Sequence, residues 1–98
     1  MPTLHVLSHS PFGDERLASC LRLLGADDAL LLTGDAVYAL REGSDAHRQL
    51  QAAGLQERLF ALDEDLQARA LSSALAKAVD YQAFVALSLH YDKVNSWL

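Results

Sequence analysis

The sequence predicts a small three-layer α/β domain, in which a mostly parallel sheet of four or five strands is flanked by helices. Residues 29–33 and 58–62 are short apolar runs, typical of parallel strands that are covered on both faces. Amphipathic segments lie between such runs, and this alternation indicates βαβ units. A chain of 98 residues is the size of one domain, so we assign residues 1–98 to a single fold.

The first predicted unit is a strand and a helix. Residues 3–8 alternate loosely as a strand does, and the breakers of residues 9–13 follow. From residue 14 to residue 24 the apolar side chains recur at i, i+3, i+4 and i+7, which predicts an amphipathic helix that ends at Gly25. The positions on this stripe are Leu17, Cys20, Leu21 and Leu24.

The middle of the chain repeats the pattern. After the strand at residues 29–33, we expect a short helix at residues 36–40 and a longer one at residues 45–53 that ends at Gly54. The strand at residues 58–62 stops at three acids, and we expect Asp63 to cap a helix that runs to about Leu71.

The last quarter is more ambiguous. Residues 75–79 are compatible with a weak edge strand. Residues 80–91 fit either a strand or a helix capped by Asp80, and we favour the helix. Trp97 and Leu98 are apolar where a terminus is usually polar, so we expect them to dock back or to be covered by a neighbour.

Composition and charge limit the function classes. The net charge is −5 and the eight Lys and Arg residues are scattered, which argues against direct nucleic-acid binding. Without a signal peptide or an apolar run of about 18 residues, we expect a soluble, cytoplasmic protein that does not enter membranes. The 51% hydrophobic content is high for so small a domain and predicts association with partners.

Few residues suggest chemistry. Cys20 is the only thiol, and its place on the apolar stripe favours burial over reactivity. The four His residues have no metal-binding spacing, and no Gly-rich phosphate loop is present, so we expect no metal and no cofactor. Asp63, Glu64 and Asp65 lie where ligands usually bind in an open α/β sheet, yet their pattern is more typical of a helix start.

Several stretches together resemble the TusB/DsrH family of sulfur-relay subunits, within the DsrE/DsrF/DsrH-like proteins. Their order, spacing and total length agree with the family nearly end to end, and residues 60–69 are the most specific of them. The matching stretches are residues 4–7, Ser10-Pro11, residues 21–24, 28–32, 35–37, 60–69 and 80–85, and Trp97. The resemblance departs at Ala36 and Ala70, where we expect glycine in the family pattern, so the local backbone is expected to differ.

The resemblance implies a subunit of a TusBCD-like heterohexamer with TusC- and TusD-like chains. In that family, persulfide sulfur passes from a desulfurase through the D-type subunit to a further carrier and a tRNA thiouridylase, which makes 2-thiouridine at the wobble position. The D-type chain carries its reactive Cys after its third strand, where this chain has Asp63-Glu64-Asp65. We therefore expect a non-catalytic subunit that meets the downstream carrier only indirectly. The interface candidates are Asp63, Glu64, Asp65, Phe84, Tyr91, Trp97 and Leu98.

Two alternatives stay open. Cys20 resembles the lone thiol in the first helix of DsrH-type chains, which implies a sulfur carrier in dissimilatory sulfur oxidation. A small-ligand-binding regulatory domain, with His9 and Asp35 in its loops, is the other alternative.

Overall fold

Five parallel strands form one sheet in the computed structural model, which describes residues 2–97. Every pairing between neighbouring strands is parallel, and the order across the sheet is β4-β3-β2-β1-β5. The α/β class and the predicted sheet of four or five strands are confirmed. The strands are β1 (Thr3–Leu7), β2 (Ala29–Leu32), β3 (Leu59–Leu62), β4 (Lys77–Val79) and β5 (Lys93–Trp97).

Four α-helices connect the strands within the described residues. They are α1 (Arg16–Leu23), α2 (Asp45–Ala53), α3 (Asp63–Ala68) and α4 (Tyr81–His90). Two 3₁₀ segments, Gly34–Leu40 and Gln56–Arg58, flank α2. No helix of residues 2–97 is both long enough and apolar enough to cross a lipid bilayer.

The two faces of the sheet are covered unequally. Strands β1 to β4 are added in one direction, and α1, α2, α3 and the first 3₁₀ segment pack on the same face, around Leu30 and Leu32. The chain then crosses back from β4 to β5, and α4 alone packs on the opposite face, over Leu31 and Phe60. The result is three layers, one of which is a single helix.

Local capping signals define the helix ends that the sequence predicted well. The Ser44 hydroxyl accepts a hydrogen bond from the His47 backbone N–H at the start of α2, which ends at Gly54 in a left-handed conformation with φ of 62°. The Asp80 carboxylate accepts from the Ala83 N–H at 2.8 Å, and α4 follows. The helical interpretation of residues 80–91 is therefore confirmed.

Two predicted helix ends are wrong. Helix α1 ends at Leu23, Leu24 is extended and Gly25 does not have positive φ, so no glycine cap forms. Helix α3 begins directly at Asp63, with Leu62 at the capping position, so Asp63 does not cap it. Leu62, the last residue of β3, is at the capping position, and its apolar side chain has no acceptor for the free N–H groups of the first turn.

Strand β5 is absent from the sequence prediction, which expected the end of the chain only to dock against the fold or to be covered by a neighbour. It pairs with β1 along its length, from Thr3 opposite Lys93 to Leu7 opposite Trp97. The Trp97 indole N–H donates to Nδ1 of buried His5 at 3.1 Å, and Nε2 of His5 faces the Asp28 carboxylate at 3.4 Å. Trp97 thus docks back on the α1 side of the sheet, as one of its two predicted alternatives required. Leu98 lies outside the described residues.

The Asp28 carboxylate anchors the beginning of β1. It accepts hydrogen bonds from the backbone N–H groups of Thr3 and Gly25, both at 2.8 Å. Burial by itself raises the pKa of Asp28, but these two N–H groups and His5 together hold it below its usual value. The carboxylate therefore stays ionised and ties β1, the end of α1 and, through His5, strand β5 to one another.

Candidate functional site

An open α/β fold usually binds its ligands at the carboxyl edge of the sheet. Here a hydrogen bond, which we call the tether, joins the segments after β2 and β3 at this edge. Asp65 in α3 accepts a hydrogen bond from the Gly34 backbone N–H at 2.8 Å. Gly34 has φ of 52°, and a Cβ there would lie 3.3 Å from the Ser8 carbonyl oxygen, so the position requires glycine. The loops after β1, β2 and β3 are therefore packed against one another.

Arg69 completes this closure. Its Nη2 and Nε donate to Asp35 Oδ1 at 2.8 and 3.2 Å, and its Nη1 donates to the Asp65 carbonyl oxygen at 3.1 Å. The hydrogen bonds that Arg69 donates to the Asp35 carboxylate raise the pKa of Arg69, so the guanidinium remains charged between two carboxylates. The edge therefore holds an ion network in which two carboxylates share one guanidinium.

Aromatic rings extend the network toward the solvent. The Tyr38 ring lies near two guanidinium groups, with its centre 5.7 Å from that of Arg69 and 5.1 Å from that of Arg41. Arg41 also lies 6.0 Å from the ring of Phe12, which is half exposed. Cation–π attraction in these contacts helps to hold the side chains in place, so it stabilises the shape of this edge.

The acids after β3 have separate contacts. Asp63 accepts from the Gln67 side-chain amide at 2.7 Å, whereas Asp65 bonds to Gly34. Glu64 is exposed. The structure therefore brings Asp35 and Asp65 together through Arg69 and leaves Asp63 and Glu64 on the outer side of α3.

Cys20 lies away from this edge. Its side chain is fully buried in α1, within the cluster that contains Leu17 and Leu30. Burial, and secondarily the negative charge of Asp28, raises the pKa of Cys20 to about 12. At neutral pH the thiol is therefore protonated and out of contact with solvent.

The other predicted site residues are dispersed. Phe84 and Tyr91 face the sheet under α4, and Trp97 packs on the opposite side. His9 is exposed and does not line the cleft of about 550 Å³ that lies between the beginnings of α1 and α2. Asp35 does not line it either. Within residues 2–97 no three His, Cys, Asp or Glu side chains converge on a possible metal site.

The sequence analysis missed Arg69 and Tyr38 as parts of the network. The sequence does contain a signal for the pairing of Arg69 with Asp65. Arg69 follows Asp65 by four residues, and opposite charges at this spacing are neighbours on a helix. Asp35 and Asp65 each follow a predicted strand, and the carboxyl ends of neighbouring parallel strands share one edge. Nothing in the local sequence indicates that Tyr38 contacts both Arg41 and Arg69.

We expect Asp65→Ala to loosen the carboxyl edge. Removal of the carboxylate leaves the Gly34 N–H without its acceptor and Arg69 with one partner fewer. The free energy of unfolding should therefore fall by about 1–3 kcal/mol. Hydrogen exchange measured by NMR should show faster exchange at Gly34. Glu64→Ala is the matched control, since it removes a first-turn acid that is exposed. Equal destabilisation by both variants would contradict the tether.

Comparisons with known proteins give a consistent picture. A protein-family model described as "DsrH like protein" matches residues 9–94. The chain is 35% identical over 97 residues to "Protein TusB" of Enterobacter sp. (strain 638) and to "Protein TusB" of Escherichia coli O81 (strain ED1a). Each alignment covers 96% of this chain and 99% of the relative.

A solved structure supports the fold. The crystal structure of the ychN protein from E. coli superposes with a TM-score of 0.74 at 21% sequence identity, covering 99% of this chain and all of the other. At this identity the likeness concerns the fold alone. With the family match over most of the chain and the near-complete alignment to the curated relatives, we conclude that the chain belongs to the DsrH-like family of proteins, which includes TusB.

Proposed function

We propose that the chain is a non-catalytic subunit of a cytoplasmic TusBCD-like sulfurtransferase complex, which relays persulfide sulfur for 2-thiouridine synthesis at the tRNA wobble position. The name TusB, carried by relatives that align over nearly the whole chain, supports this pathway. The observation that carries the non-catalytic role is the carboxyl edge, where Asp63, Glu64 and Asp65 follow β3 and the only cysteine is elsewhere.

Sulfur chemistry is the physical reason. Persulfide transfer needs a thiolate that attacks the outer sulfur, and a carboxylate does not replace it. At the carboxyl edge, Asp65 bonds to Gly34 and supports Arg69, so it has a structural task. We therefore assign the relay nucleophile to a sister subunit.

The partners that we propose are one C-type and one D-type chain of the same fold, two copies of each subunit forming a heterohexamer. The interface candidates on this chain remain Asp63, Glu64, Asp65, Phe84, Tyr91, Trp97 and Leu98. The further sulfur carrier contacts the complex through the D-type chain. With a net charge of −5, this subunit is proposed not to contact tRNA directly.

Coexpression tests the assembly. When the C- and D-type chains from the same source are expressed with this chain and only the D-type chain is tagged, all three should co-purify and elute as one species. The control expresses this chain with the tag alone. An elution of this chain apart from both sisters would contradict the proposal.

Activity of the assembled complex tests the non-catalytic role. A complex with Cys20→Ala should form 2-thiouridine in tRNA at the rate of the unmodified complex, measured by mass spectrometry of tRNA nucleosides. A matched complex that lacks the reactive cysteine of the D-type chain should form none. Loss of activity in the Cys20→Ala complex, with the assembly intact, would contradict the assignment.

The second candidate is a DsrH-type carrier that loads sulfur on Cys20 in dissimilatory sulfur oxidation, and the DsrH description of the matching family favours it. Incubation of the isolated chain with a desulfurase and cysteine separates the candidates. A carrier gains about 32 Da on Cys20 for each sulfur. The burial of the thiol favours the first candidate, for which the mass stays unchanged.

A further inference from the structure

Helix α4 has apolar side chains on both of its faces. Ala83, Phe84 and Leu87 face the sheet. On the opposite face, Tyr81, Val85 and Leu89 are 53%, 54% and 80% exposed, and we call these three the outer stripe. None of the ten residues of α4 is fully buried. A surface helix normally has a polar outer face, so the outer stripe requires a cover.

The α4 side of the sheet also has an open groove. A helix is about 10 Å across, whereas five strands spaced about 4.8 Å apart are roughly twice as wide, so one helix leaves part of this face bare. Between α4 and β4 lies an apolar groove of about 410 Å³, lined by Phe60, Val79 and Leu87 and bordered by Lys77 and His90. The outer stripe and the groove therefore both lie on the α4 side of the sheet, where one is an apolar projection and the other an apolar depression.

The charge distribution favours a second copy as the occupant. Residues 1–75 contain six Lys or Arg and eleven Asp or Glu, so they carry the whole net charge of −5. Residues 76–98, which include β4, α4 and β5, contain two Lys and two Asp and are neutral. Two identical acidic chains repel one another least when these neutral segments meet.

The area is sufficient for a weak dimer. Together with Val94, which is 45% exposed on the same side of the sheet, the outer stripe offers roughly 300 Å² of apolar surface. Two copies then bury roughly 600 Å² of apolar surface in an interface of about 1,000 Å² in total, since such interfaces are a little more than half apolar. This is the lower size limit of specific interfaces.

We infer that the α4 side of the sheet is a docking surface for a second copy of this chain, with α4 packed against α4 about a two-fold axis. Each outer stripe then lies in or beside the groove of the other copy, because a two-fold contact repeats the same surface on both partners. The inference concerns the isolated chain and goes beyond the proposed function. In the proposed heterohexamer, the same contact would join the two copies of this subunit.

Sedimentation velocity of the isolated chain over a range of concentrations tests this inference. The unmodified chain should form a dimer as its concentration rises. Leu89→Glu buries an unpaired charge in the contact and should raise the dissociation constant by about tenfold or more. Leu23→Glu is the matched control, since it places the same charge near the end of α1 on a leucine that is 69% exposed. Circular dichroism should be unchanged in both variants.

The outcomes are distinct. Dissociation by Leu89→Glu alone supports the inference. A chain that stays monomeric to about 1 mM, a dimer that Leu89→Glu leaves intact, or equal dissociation by Leu23→Glu would each overturn it. Co-purification with the sister chains is measured separately, so a failure of this dimer and a failure of the proposed assembly are distinguishable.

Discussion

Native Cys20 is expected to react with iodoacetamide at least about 1,000-fold more slowly than the same thiol in the unfolded chain. Only the thiolate reacts, and the rise of its pKa from 9.0 to about 12 lowers the thiolate fraction at neutral pH by a factor of about 1,000. Full burial adds a further barrier, because the reagent reaches the sulfur only when α1 separates from the sheet.

Mass spectrometry of timed samples at pH 8, with and without 6 M guanidinium, measures both rates. The matched control is Ser72→Cys in a Cys20→Ser background, which moves the single thiol to an exposed position. That thiol should react at nearly the same rate in folded and unfolded chains. Rapid, stoichiometric modification of native Cys20 would contradict its burial and would favour the carrier candidate.

Leu31→Ala should destabilise the fold more than any exposed substitution proposed for α4. Leu31 is fully buried in the central part of the sheet, beneath α4, and a leucine-to-alanine change at such a site leaves a cavity. The expected loss is about 3–5 kcal/mol of the free energy of unfolding. The melting temperature of a domain of this size should then fall by more than about 12 °C.

Leu89→Ala removes the same atoms as Leu31→Ala, but from the solvent-facing side of α4 rather than from the sheet beneath it. Because Leu89 is mostly exposed, the free energy of unfolding of the monomer should change by less than about 0.5 kcal/mol. Urea unfolding below the dimer concentration measures both variants. Equal losses would mean that α4 is more deeply packed than its exposed outer stripe indicates.

The sequence predicted those parts of the fold that local chemistry determines. The Ser44 cap and the left-handed Gly54 delimit α2 at the predicted residues, because both signals act within one helical turn. The continuous apolar run at Ala29–Leu32 identified a central strand, since every side chain in it is buried. For the ambiguous residues 80–91, Asp80 indicated a helix correctly, because its side chain accepts a hydrogen bond from the nearby Ala83 N–H.

Features that depend on distant partners were not predictable in this way. Strand β5 has mainly polar, exposed residues, and its pairing with β1 spans some 90 positions of the sequence. The Asp35–Arg69 ion pair joins residues 34 positions apart, so no spacing rule within one element reveals it. The exposed apolar face of α4 was not predictable either, because its exposure depends on which other elements pack around the helix.

One departure from the family pattern acquires a physical meaning in the structure. Ala70 has φ of 53°, in the left-handed region that favours glycine, immediately after Arg69. The backbone there retains a glycine-like conformation although the residue is alanine. Ala36, at the other departure, lies in a 3₁₀ segment without positive φ.

The pairing of β1 with β5 also has a consequence for synthesis on the ribosome. Residues 93–97 are synthesised some 90 positions after residues 3–7, with which they pair. At the usual pace of translation, one side of β1 remains without its partner for on the order of 10 s. During this interval the nascent chain exposes an open strand edge, which is the surface most prone to join with other nascent chains on the same messenger.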